Sequence, residues 1–288
     1  MNALLAELAA SGPVVTDGAW GTQLQERGLP IGACPDEWNL SHPDRVEEVA
    51  RAYVEAGSRV ILTNTFGANR LALARHGLAD KAAAINRAGV EISRRAARAK
   101  AKVFASLGPT GIVLMMGEVQ PAEVQAAFEE QARAMADAGA DAMVLETFSD
   151  PAEIALAITA AKKTGLPVVA CMTFDSGKDH DRTLMGTTPE QAAAVLAEAG
   201  ADCLGSNCGQ GIEGFVKIAR RLRAASDRPI WIKANAGLPQ MVDGRAVYAQ
   251  TPEKFAALVP ALIEAGASFV GGCCGTTPEF VRAVRRVL

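Results

Sequence analysis

Apolar residues fall into short runs that end in polar residues and glycine, and between the runs apolar positions recur at helical spacing. An Ala/Leu-rich segment at residues 2–10 predicts a short N-terminal helix closing the bottom of the domain. The first run, Pro13-Val14-Val15-Thr16, leads into the glycine-rich turn Asp17-Gly18-Ala19-Trp20-Gly21-Thr22. The same unit recurs from Arg59 to Thr65, after a helical stretch from Asp44 to Ala56, and from Lys102 to Leu107, after an Ala/Arg-rich stretch around residues 81–100. Three later units share one plan: a helix end, a glycine C-cap at Gly139, Gly200 or Gly266, and a buried strand that finishes at Glu146, Cys208 or Cys273. Pro167 to Thr173 and Pro229 to Asn235 fall between them. Eight near-continuous apolar strands with helical crossovers predict a parallel sheet. Within 288 residues they predict a single α/β domain over 1–288, a (β/α)8 TIM barrel with a short N-terminal helix. Asp150, Thr188, Thr251 and Thr277 each precede a proline at a predicted first helical position, and each predicts a side-chain cap.

Charge narrows the partners. A net charge of -3 and a pI near 5.7 leave no basic field for phosphates, so neither nucleic acid nor an anionic membrane is expected. Glu7 interrupts the first apolar stretch, no basic n-region precedes it, and no uncharged run reaches spanning length; a cytoplasmic protein is expected. With no export signal, the six cysteines favour thiols or metal over a disulfide framework, and a vicinal Cys273–Cys274 disulfide would be strained.

In a barrel of this kind the strand C-termini form the active face. Asp17, Asn64, Thr65, Glu146, Asn207, Cys208, Asn235, Cys273 and Cys274 all close predicted strands and are expected at one mouth. Adjacent side chains on a regular strand point to opposite faces, so Cys273 and Cys274 can serve one metal only where the backbone bends. Gly271, Gly272 and Gly275 permit that bend. Cys208, two strands away on the same rim, offers a third thiolate. Three thiolates without a fourth protein cysteine leave a coordination position open, the mark of a catalytic zinc, which would bind an external thiol and hold it as thiolate. Cys34, Cys171 and Cys203 read as structural, and His42, His76 and His180, beside charged residues, as solvated.

Seven motifs stand in order along the chain: Asp17-Gly18-Ala19-Trp20-Gly21-Thr22, Thr63-Asn64-Thr65-Phe66-Gly67, Leu107-Gly108-Pro109-Thr110-Gly111, Glu146-Thr147, Asn207-Cys208, Asn235-Ala236-Gly237 and Gly271-Gly272-Cys273-Cys274-Gly275. Together they resemble the homocysteine S-methyltransferase family, from Val15 to Pro278. The resemblance implies zinc held by Cys208, Cys273 and Cys274, with homocysteine sulfur as the substrate's ligand and Asn235 as a fourth ligand in its absence. It implies methyl transfer to homocysteine, forming methionine. For the amino-acid part, Asp17 and Glu146 are two carboxylates able to flank the ammonium. The backbone amides of Gly18 and Ala19, helped by Thr65, are expected to hold the α-carboxylate. Asn64 and Asn207 are read as orienting loops.

Branches of the family use betaine, S-methylmethionine or methylcobalamin. A quaternary ammonium calls for aromatic faces, and this chain is only 5% aromatic, with Thr147 and Asn69 where the betaine branch carries aromatic residues. Trp20, Trp38, Phe66 and Phe148 remain as walls. Leu107-Gly108-Pro109-Thr110, Glu146-Thr147-Phe148-Ser149-Asp150 and Met172-Thr173-Phe174-Asp175, followed by Arg182-Thr183-Leu184-Met185-Gly186, resemble instead the N-terminal homocysteine barrel of cobalamin-dependent methionine synthase. The expectation is a stand-alone barrel taking its methyl group from methylcobalamin on a separate corrinoid protein, with direct use of betaine or S-methylmethionine as the alternative. A non-catalytic metal-binding or redox thiol protein is the alternative of another class.

Overall fold

The computed structural model describes residues 2–242 and 245–288. Eight parallel strands form one sheet: β1 (Val14–Val15), β2 (Val60–Ile61), β3 (Lys102–Leu107), β4 (Ala142–Phe148), β5 (Val168–Met172), β6 (Cys203–Gly211), β7 (Ile230–Asn235) and, after an antiparallel hairpin of β8 (Gln240–Val242) and β9 (Arg245–Val247), β10 (Ala267–Gly272). The order β1-β10-β7-β6-β5-β4-β3-β2 brings the first two strands back together. There Arg59 N donates to Val15 O and the Ser58 hydroxyl to Thr16 O, so the sheet is a nearly closed barrel, as predicted.

Three strands depart from the expected spans for local reasons. β2 leaves the ladder after Ile61 because threonine hydroxyls take over its pairing with β3: Ser106 N donates to Thr63 Oγ1 and Thr65 Oγ1 donates to Ser106 O. β4 and β6 run beyond their predicted ends but shift register past Leu145 and Asn207. The shifts coincide with Thr147 (φ 68) and Cys208 (φ 61), side chains in the left-handed region where strain collects at functional positions.

Helices pack outside the strands. Thr188 with Gln191 forms a capping box, and Asp150 and Thr251 also cap their helices as predicted. Thr277 does not: its hydroxyl turns to Glu279 Oε2 at 3.2 Å and leaves the first turn uncapped by side chain. No helix among the described residues is long and apolar enough to cross a membrane.

Alternate strand residues fill the interior. At the bottom, Leu5 and Leu8 of the N-terminal helix Ala3–Ala9 close against Val14, Phe104, Trp231 and Phe269, with the Trp231 ring 6.0 Å from Phe104 and 5.3 Å from Phe269. Cys171 and Cys203 belong to this apolar layer, as their position inside strands implies. One step higher, Lys233 of β7 lies opposite Gly271 of β10, so the lysine crosses a strand that presents no side chain and meets Asp17 beyond β1. Replacing Gly271 by Ala would drive a methyl group into the Thr16 hydroxyl and the Asp17 carbonyl. The expected cost is about 1–3 kcal/mol, read as a lower midpoint in chemical denaturation.

Candidate active site

The strand ends converge as the sequence implies. The Sγ atoms of Cys208, Cys273 and Cys274 all lie within 4.8 Å of one another, with Cys208 and Cys274 3.9 Å apart. Both members of the double cysteine reach one point because β10 ends at Gly272 and the chain then bends. Cys273 N donates to Ala234 O, Ala236 N to Cys274 O, and the Thr276 hydroxyl closes the turn on Cys273 O at 2.7 Å. Tetrahedral coordination at about 2.3 Å requires sulfurs about 3.8 Å apart, which the Cys208–Cys274 pair meets. Asn235 supplies a fourth group: it is buried, and its Oδ1 has no hydrogen-bond partner among the described residues. Three thiols and an orphaned carbonyl oxygen make a donor set suited to a thiophilic divalent cation.

Their protons are shared unevenly. Donation from the Cys273 and Cys274 thiols holds Cys208 well below the ordinary thiol range, and the same contacts push Cys273 and Cys274 up. One thiolate forms readily; the other two form when a cation replaces their protons.

Asn207 braces this side of the rim. Its Oδ1 accepts from Thr147 N and its Nδ2 donates to Thr147 Oγ1, both at 2.8 Å, and Nδ2 stands 3.8 Å from Cys273 Sγ. Asn64 holds the opposite side by donating to Pro35 O. Both act on loops, as expected.

Below the cysteines lies a buried charge cluster that the sequence motifs only partly show. Glu146 lines the cavity; Ser106 Oγ donates to its Oε1 at 2.5 Å, and burial pushes its carboxyl up against the opposing pull of Lys233. Asp17 is fully buried. Its Oδ1 accepts from Lys233 Nζ at 2.5 Å, and its Oδ2 accepts from Trp20 Nε1 and Leu62 N. Gly18 and Ala19 do line the cavity, but Ala19 N donates to Thr276 Oγ1, and Thr65 is fully buried with its hydroxyl on Ser106 O. Lys233 escapes the sequence motifs, since one lysine in the apolar run Ile230-Trp231-Ile232-Lys233-Ala234 is its only signal. Burial works against its charge, but Asp17 and Glu146 outweigh burial and raise it.

The cavity, about 600 Å³, continues outward past Trp20, Phe66, Arg75 and His76. Cys34 lies on this outer wall rather than in the core, its thiol pushed up to about 11 by burial and by Asp36. His42 stacks on Trp38 and His180 rests on Asp175 O, both away from the cysteines.

Residues 14–288 match the family model described as homocysteine S-methyltransferase. The chain is 33% identical over 299 residues to the methionine synthase of Mycobacterium leprae and 33% identical over 290 residues to that of Mycobacterium tuberculosis. These alignments take in 97% and 94% of the chain but span only 24% of each relative. Among solved structures, the homocysteine methyltransferase MmuM of Escherichia coli in its metallated form superposes with a TM-score of 0.83 at 24% identity, over 99% of both chains. Its oxidized form gives 0.81 at 24% identity, over 98% of this chain and 99% of that one. These likenesses carry the fold.

Proposed function

Because the chain belongs to the homocysteine S-methyltransferase family, we propose that it transfers a methyl group to the sulfur of homocysteine, forming methionine. The observation that carries this reading is the cluster of Cys208, Cys273 and Cys274 directly above a buried carboxylate, Glu146, in one cavity. A thiol and an amino group of the same small molecule are recognised together there. Zinc is the proposed metal, held by Cys208, Cys273 and Cys274, with Asn235 Oδ1 as fourth ligand before substrate binds. A zinc ion so bound lowers the pKa of an incoming thiol and keeps it a nucleophile at neutral pH. The chain's own residues orient the substrate: Glu146 accepts from its ammonium, Ser106 fixes Glu146, and the Asn207–Thr147 pair fixes the strained turn after it. In the transfer, a sulfur lone pair bonds to the methyl carbon as the donor's bond to that carbon breaks, and the thiol proton passes to solvent.

Replacing Glu146 by Gln keeps the Ser106 contact and removes the charge that meets the ammonium. The expected result in steady-state kinetics is a KM for homocysteine raised by about tenfold or more with kcat changed far less, since uniform binding is what is lost.

The proposed donor is methylcobalamin presented by a corrinoid protein, supported by the likeness to the methionine synthases. Trp20 and Phe66 on the cavity wall support a second reading, a small sulfonium or ammonium donor such as S-methylmethionine or betaine. A screen of zinc-loaded protein against each donor separates them. Methionine formed from methylcobalamin, with none from the small donors, supports the first; turnover with betaine or S-methylmethionine alone overturns it.

A further inference from the structure

Cys208, Cys273 and Cys274 line one cavity with their Sγ atoms within 4.8 Å of one another. A methyl group that reaches a substrate sulfur there also comes within reach of three protein sulfurs of the same chemical kind. With the metal in place those sulfurs are thiolates, and the thiolate is the nucleophilic form. Methylating one of them would cost the site a ligand. An N–H that donates to a thiolate stabilises its negative charge and makes its lone pairs less available.

Asn207 is placed to be such a donor. It is fully buried in β6, beside Cys208. Thr147 N can only donate, so the Asn207 amide oxygen faces it, and Nδ2 is thereby turned to Thr147 Oγ1 and Cys273 Sγ. Of the two N–H groups on Nδ2, Thr147 Oγ1 takes one. Cys273 Sγ, at 3.8 Å, is the only acceptor for the other among the described residues. The Thr173 hydroxyl donates to the Asn207 carbonyl at 3.0 Å and anchors the backbone as well. Thr147 holds a left-handed conformation (φ 68), uncommon for a β-branched residue, while giving both its N–H and its hydroxyl to this amide. The strained turn thus fixes the aim of one side chain.

We propose that Asn207 shields Cys273 from methylation, so that the methyl group passes to the substrate sulfur and the metal site survives turnover. This rests on the homocysteine reading and adds to it a choice among sulfurs. Both N–H groups of Nδ2 are taken by Thr147 and Cys273, so the amide quiets the protein thiolate and leaves an incoming sulfur as nucleophilic as the metal makes it. Asn207 is a positioning residue here, acting through Cys273.

The test treats zinc-loaded protein, without homocysteine, with methyl iodide and reads S-methylation of Cys208, Cys273 and Cys274 by peptide mass spectrometry. In this reaction the thiolate sulfur bonds to the methyl carbon as the carbon–iodine bond breaks and iodide leaves. The readout is the ratio of methylation at Cys273 to that at Cys274, because a general loosening of the site raises both together. In N207D the ratio is expected to rise by about tenfold or more. The carboxylate still accepts from Thr147 N and from the Thr147 hydroxyl, so the turn stays braced, but it has no N–H for Cys273. N207L, which adds no charge, repeats the measurement should N207D lose its zinc or fold poorly, and the same rise is expected. T147V, which loosens the brace and leaves the amide N–H on Cys273, is expected to keep the wild-type ratio. An unchanged ratio in the Asn207 variants, or an equal rise in T147V, overturns the proposal and leaves the homocysteine reading standing. That reading fails separately, if the zinc-loaded protein methylates homocysteine with no donor.

Discussion

Replacing Cys208 by Ser is expected to empty the metal site and silence methyl transfer while the barrel stays folded. Loss of groups that merely orient metal ligands costs about 10–100-fold, so loss of a ligand is expected to exceed about a hundredfold in activity. Bound zinc is expected to fall from about one per chain to none in elemental analysis. Stability is expected to change little, because Cys208 lies on the rim, outside the apolar layers packed around β6. Circular dichroism with a melting curve checks that half of the prediction. A variant that loses activity but keeps its zinc would remove Cys208 from the metal site.

The second large effect falls on stability. Asp17→Ala leaves the Lys233 ammonium buried without its hydrogen-bonded carboxylate and strands the N–H groups of Trp20 and Leu62. Breaking a buried pair in this way costs about 3–5 kcal/mol. Lys233→Met made together with Asp17→Asn removes both charges at once, and most of that loss is expected to be recovered. Denaturant titration of Asp17→Asn, Lys233→Met and the double variant gives the coupling energy directly. Additive costs, with no recovery in the double variant, would show that the pair is not what holds the two strands together there.

The barrel is legible in the sequence because its strands are apolar runs of the right length, separated by helices and closed by polar residues. That arrangement alone also places Cys208, Cys273 and Cys274 on one rim. Partners are harder to read than places. Residue type and position assign Asp17 to the substrate, but which atoms its oxygens face depends on Trp20, on the Leu62 amide and on Lys233, a residue 216 positions away. Lys233 is hidden by its own neighbours, since one charged residue inside an apolar strand reads as an interruption. Thr277 carries every local sign of a cap, yet its hydroxyl finds Glu279. β2 looks longer than its ladder because Thr63 and Thr65 keep strand-like sequence while pairing through side chains.

The aromatic plug of Trp231, Phe104 and Phe269 beneath Lys233 has a kinetic meaning. With the barrel stopped from below, the cavity opens away from the plug, and the floor is its far end. In the proposed reaction homocysteine belongs at the floor and the donor above it. Binding is then compulsory in order, homocysteine before donor, and departure is last in, first out, with the spent donor clearing the mouth before methionine can leave.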